Sequence, residues 1–195
     1  MNEEKKRLES FGPIERPFQG IQAPAAEPRV SLKVGKSFII LRQPKNSNWC
    51  WAAVSASVAR YYDSTSRVCQ CEIVSAVLRR RDCCAGIDLT VCEKYKTHIA
   101  KNCDKAKPLE AGLAVKGNIN GKPQKPPLRF AEVSAELDSE RVVCLREDVA
   151  HFVVAVSYLS GTTSVEVADP LDGKFHVVDY SHLRCRCTHS YRTRG

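Results

Sequence analysis

Apolar residues recur along the chain with two different periods. Between Trp51 and Tyr62, the residues Trp51, Val54, Val58 and Tyr61 stand three and four positions apart in an alanine-rich run, which predicts a helix. "CEIVSAVLRRR" repeats that spacing through Ile73, Val74, Val77 and Leu78 and predicts a second one. The stretch "KPLEAGLAVKGNINGKPQKPPLRF" is dense in glycine and proline and reads as surface loops, and "FAEVSAELDSE" as a short helix. Beyond it the period falls to two. "RVVCLRE", "HFVVAVSY", "TSVEVAD" and "KFHVVDY" are short β-branched or aromatic runs separated by turn residues, the signature of a mostly antiparallel sheet. "HFVVAVSY" is apolar at both alternating sets of positions, so it is expected at the centre of the sheet, covered on two sides.

Helices first and strands later predict an α+β architecture. A helical half over about residues 31–110 would pack on a sheet half over about 128–183, with a groove between the halves and a basic, cysteine-containing tail at 184–195. Residues 1–30 mix charge with Pro13, Pro17, Pro24 and Pro28 without apolar periodicity and are expected to be a linker or loosely attached arm.

Composition narrows the classes of function. The 195-residue chain is 43% hydrophobic, enough for one domain with a real core. It contains no run of eighteen apolar residues, so no membrane span is expected, and its first twenty residues lack the apolar segment of a secretory signal. The formal charge of +8 comes from outside the first thirty residues, notably from Arg79, Arg80, Arg81 and "RCRCTHSYRTRG". No aromatic residues alternate with these cations and no nucleic-acid motif accompanies them, so a solvated basic face is expected rather than a nucleic-acid site. The ten cysteines suit a protein that meets an oxidising compartment. None of the spacings is a C-x-x-C repeat, so neither metal nor other cofactor is expected. If one thiol stays free as a nucleophile, nine remain and at most four intramolecular bridges can form, with the segment Cys69 to Cys103 the expected place for them.

The candidate chemistry centres on "NSNWCWAA", where both tryptophans of the chain flank Cys50. A cysteine on the first turn of a helix meets unpaired backbone N–H groups and the positive end of the helix dipole, which favour a thiolate. Asn48 is the best-placed N-cap. A thiolate also needs a base, and the base an orienting group. His151 opens the apolar strand and Asp169 closes the next one, "SVEVADP"; an antiparallel pairing turned near Gly161 would bring them side by side. His98, His176, His182 and His189 lie in polar, edge-like or basic surroundings and are weaker candidates. Gln43, upstream in "LRQPKNSNWC", could help a backbone N–H stabilise an oxyanion; Asn46 and Asn48 are alternatives.

Glutamine, then W-C-W-A-A at a helix start, then H-F-V-V-x-V-x-Y and a strand ending in Asp-Pro, resembles the papain-like cysteine proteases. Among them the chain is similar to the bacterial AvrRpt2-like (C70) group with its C39-like relatives, and "QCEIVSAVLRRRDCC" and "FAEVSAELDSERVV" extend the likeness from about Val34 to Tyr180. The resemblance implies a papain-like fold and a cysteine endopeptidase with Cys50 as nucleophile, His151 as base, Asp169 as orienting acid and Gln43 in the oxyanion hole. Trp49 would then wall the substrate groove, and Trp51 would be buried against the sheet half. It further implies a protein substrate, delivery as a secreted effector or antibacterial toxin domain, and a cognate immunity or inhibitor protein covering the groove. Deamidase and transglutaminase chemistry use the same triad, and an inactive binding module on the same scaffold is a further alternative. The chain departs from its relatives in three places. Gln43 stands seven residues before Cys50, Ala150 replaces the glycine common before the histidine, and "SERVV" stands where "aGRPV" is usual.

Overall fold

The computed structural model describes residues 37–85, 101–148 and 150–194. The expected arm at 1–30 and His98 lie outside the described residues. The N-terminal part is helical: α1 spans Cys50–Tyr62, α2 Gln70–Leu78 and α3 Leu109–Ala114. Then come α4 (Phe130–Asp138), β1 (Val143–Glu147), β2 (Phe152–Tyr158), β3 (Ser164–Asp169), β4 (Lys174–Asp179), α5 (Tyr180–Arg186) and β5 (Cys187–Arg192). The fold is α+β, as the two periods predict.

The strands form one antiparallel five-stranded sheet in the order β4-β3-β2-β1-β5. The doubly apolar strand β2 is its central member, because only a strand with neighbours and cover on both sides can bury Phe152, Val153, Val154 and Ala155 together. One face, bearing Cys144, Phe152, Val154 and Ala168, packs on the helical half through Trp51, Val54 and Val58. The other, bearing Leu145, Val153, Val165 and Val167, is covered by Val133 of α4 and Leu183 of α5.

Two stretches differ from the pattern reading. The basic tail is part of the sheet: β5 pairs along β1, and two of the tail's arginines are held by acidic partners, Arg186 Nη2 donating to Glu147 Oε1 and Arg192 Nε to Glu136 Oε1, each at 2.8 Å. The glycine- and proline-rich middle contains α3, whose Leu109 and Leu113 are buried. In α2 an acidic side chain satisfies the first turn, where Glu72 Oε2 accepts from Cys69 N at 2.7 Å.

Disulfides join Cys71 to Cys84 and Cys83 to Cys103, and Cys69 is disulfide-bonded as well, all within the segment where bridges were expected. Cys50, Cys144, Cys185 and Cys187 are free thiols. No helix among the described residues is long and apolar enough to cross a membrane.

Candidate active site

Cys50 is the first residue of α1. The first helical hydrogen bond runs from Ala53 N to Trp49 O at 2.8 Å, so the amides of Cys50, Trp51 and Ala52 have no acceptor within the helix. No acidic side chain occupies that turn. The N-cap is Trp49, with no side-chain capping bond, rather than Asn48. Asn48 is held elsewhere: its backbone N and Nδ2 both donate to Asp104 Oδ1, at 2.7 and 3.3 Å. A carboxylate across the chain thus fixes the residue that the sequence offered as a cap.

His151 and Asp169 meet at one end of the sheet. His151 immediately precedes β2 and Asp169 ends β3, and antiparallel pairing of these strands brings them together. Nε2 of His151 stands 2.7 Å from Asp169 Oδ1. A carboxylate can only accept, so Nε2 is the donor and in the neutral ring Nδ1 carries the lone pair. Asp169 Oδ1 also accepts from Leu171 N at 2.8 Å, which fixes the carboxylate to its own turn.

The sulfur comes from the helical half. Cys50 Sγ donates weakly to Ala150 O at 3.9 Å, one residue before the histidine. His151 Nδ1 is buried without a hydrogen-bond partner, yet the ring senses the sulfur. Burial alone would lower the imidazole pKa, but the hydrogen bond with Asp169, the nearby Cys50 sulfur and the charges of both outweigh it and raise the value above the ordinary histidine range. Cys50 is 4% exposed, His151 1% and Asp169 0%, so the three groups meet away from bulk water.

Gln43 arrives on a loop tied to both halves. Its backbone N donates to Pro170 O at 2.7 Å, directly after Asp169. Leu41 N donates to Ser57 Oγ of α1 at 2.8 Å, and Gln70 Nε2 of α2 donates to Arg42 O at 2.8 Å. The Gln43 side chain gives one Nε2 hydrogen to Ser47 O at 2.8 Å. Asn46 is exposed and Asn48 is bonded to Asp104, which leaves Gln43 as the buried amide of the three.

The tryptophans do not line an open groove. Both are 0% exposed, and each indole N–H finds a backbone carbonyl: Trp49 Nε1 donates to Cys103 O at 2.9 Å and Trp51 Nε1 to Lys105 O at 3.0 Å. Trp51 packs on Gly112 of α3, within the helical half, as well as in the core facing the sheet. The two side chains and Asn48 are therefore gripped by one segment, residues 103–105, which the sequence does not mark as part of the site.

Among the described residues, two side-chain groups have metal-like spacing. In Asp82, Cys83 and Cys103 the two sulfurs are already joined to each other. In Asp169, Asp172 and His176 the potential ligand atoms are engaged in hydrogen bonds, with His176 Nε2 3.0 Å from Asp172 Oδ2 and Asp169 Oδ1 bound to His151 and Leu171. The arrangement that can do chemistry is thiol, imidazole and carboxylate in sequence. No protein-family model matches the chain, and no curated protein matches it.

Proposed function

We propose that the protein is a papain-like cysteine endopeptidase using Cys50, His151 and Asp169. The observation that carries this reading is the line of three buried groups: Cys50 at a helix start, His151 with its Nδ1 unoccupied, and Nε2 held 2.7 Å from Asp169. Rotation of the Cys50 side chain from Ala150 O towards Nδ1 would let the ring take the thiol proton, and Asp169 would stabilise the resulting imidazolium.

In this reading Sγ attacks the peptide carbonyl carbon, and the oxygen, now negative, is met by the Cys50 N–H and the second Nε2 hydrogen of Gln43. His151 returns its proton to the departing amine, leaving a thioester. The ring then takes a proton from water, the hydroxide displaces Sγ, and a carboxylic acid leaves as the thiol is restored. Because the sulfur is nearly enclosed, the substrate must first displace neighbouring side chains around the Gln43 loop. Disulfides near the nucleophile fit a protein that passes through an oxidising compartment, in keeping with a delivered effector or toxin domain acting on a protein target.

The test compares wild type with Cys50→Ala in a lysate of target cells, scored by mass spectrometry. New protein termini made only by the wild type are expected. Gains of about one dalton at glutamines without new termini would assign the same triad to deamidation, and no difference between the two proteins would dismiss catalysis.

A further inference from the structure

Behind the His151–Asp169 pair lies a second carboxylate that the triad does not use. Glu147 ends β1 and is 2% exposed. Its backbone N donates to His151 O at 2.9 Å, and its carbonyl accepts from Ala150 N at 3.0 Å, so the residues that open and close this loop hold each other. Oε1 accepts from Arg186 Nη2 at 2.8 Å. The Arg186 carbonyl accepts from Asp148 N at 2.9 Å, so the last residue of α5 grips the loop through both side chain and backbone.

The Glu147 carboxyl senses the site. Burial raises its pKa, Arg186 and His151 lower it, and Asp169 and Asp148 raise it again. Glu147 is therefore sensitive to both members of the dyad while bonding to neither ring nitrogen, since Nε2 is bound to Asp169 and Nδ1 has no partner, and the ring itself answers first to Asp169 and Cys50. Cys187, opposite Glu147 in the β1–β5 register, is held as a neutral thiol by burial and by this same carboxylate. The charged groups facing Glu147 are thus Arg186 from α5, Asp148 from the loop, Asp169 from β3 and the His151 ring.

We propose that Glu147 is a positioning residue for His151, fixing the backbone of the loop that carries it and adding, with Arg186 as counter-ion, a second buried negative charge that favours the imidazolium. Its catalytic meaning rests on the endopeptidase reading; its effect on the ring does not. Glu147→Gln keeps the shape and an acceptor for Arg186 but removes the negative charge, so the ring should lose its proton at lower pH. Arg186→Gln removes the positive charge bonded to the Glu147 carboxylate and should act in the opposite direction. Simple loosening of the loop would move both variants the same way.

The experiment titrates the His151 ring of the 15N-labelled full chain by NMR, identifying its signals as those lost in His151→Ala, and measures iodoacetamide labelling of Cys50 over the same pH range. A His151 midpoint lower by roughly half a unit or more in Glu147→Gln, and higher by a similar amount in Arg186→Gln, is expected. Coinciding midpoints, or shifts of the same sign, would overturn the proposal. If Glu147→Gln does not fold, Arg186→Gln decides alone, since the Arg186 side chain is 41% exposed and removable; an unchanged or lowered midpoint then defeats it. Labelling of wild-type Cys50 at the rate of an ordinary thiol would remove the endopeptidase reading and leave the ring titration to judge Glu147.

Discussion

Ala150 has a φ of 61°, in the left-handed region where an L side chain crowds its own backbone, and its carbonyl lies 3.9 Å from Cys50 Sγ. The strain is about 1–2 kcal/mol. It persists because Ala150 N is bonded to Glu147 O and His151 O to Glu147 N, leaving the loop no other path. Ala150→Gly should relieve it, and the greater freedom of glycine in the unfolded chain returns roughly 0.4–1 kcal/mol of the gain. A net stabilisation of about 0.5–1 kcal/mol is expected in urea unfolding; a lower midpoint would show that the alanine methyl packs productively. The same residue scale explains what the sequence could and could not tell about the site. Cys50, His151 and Asp169 stand out because their chemistry depends on residue type and on strand ends, both visible in a string of letters. Glu147 does not, because its role depends on loop closure and on an arginine thirty-nine residues away that pattern alone places in a tail. The burial of Trp49 is equally hidden, its indole being held by a carbonyl at residue 103.

Among the elements, α3 shows why composition misled. Pro108 and Gly112 make the stretch look like a loop, yet proline precedes the first helical turn without cost, and the glycine is there for contact. A β-carbon on Gly112 would lie 3.0 Å from Trp51 Cε3 and 3.1 Å from Ser55 Cβ, and closer still to Ser55 Oγ. That hydroxyl cannot easily turn away, because it donates to Trp51 O at 2.7 Å. In an exposed helix Gly→Ala gains up to about 1 kcal/mol. Here overpacking costs roughly 1–3 kcal/mol and should win, so Gly112→Ala is expected to lower the thermal midpoint. A rise would mean that α1 and α3 have slack between them. The α2 and α4 patterns are legible because each buries a stripe, α1 and β1–β3 because they are rich in apolar residues and buried on more than one side, and β4 by its β-branched run although only Val178 is buried. β5 is not, since Arg192 and the arginines on either side of the strand mask a segment whose Ser190 and Tyr191 are buried.

At the scale of the molecule, the bridges connect the helical half to its own active-site wall. Cys83–Cys103 secures the segment whose residues 103, 104 and 105 hold Trp49, Asn48 and Trp51 in turn. Cys71–Cys84 ties the start of α2 to the same cluster. With sequence separations of 20 and 13, each bridge should contribute on the order of 3 kcal/mol by restricting the unfolded chain. Beyond that general term, loss of Cys83–Cys103 should act locally, because the segment it frees sets the position of the helix start on both sides of the nucleophile. The double substitution Cys83→Ser with Cys103→Ser isolates this effect without adding new thiols to label. A lower urea midpoint is expected together with slower alkylation of Cys50, approaching the rate of a free cysteine, under conditions where the protein is still folded. If the midpoint falls and the Cys50 rate does not, then residues 103–105 stabilise the fold without shaping the site, and the alignment of sulfur and imidazole must come from the sheet-side contacts of Ala150 and Gln43 alone.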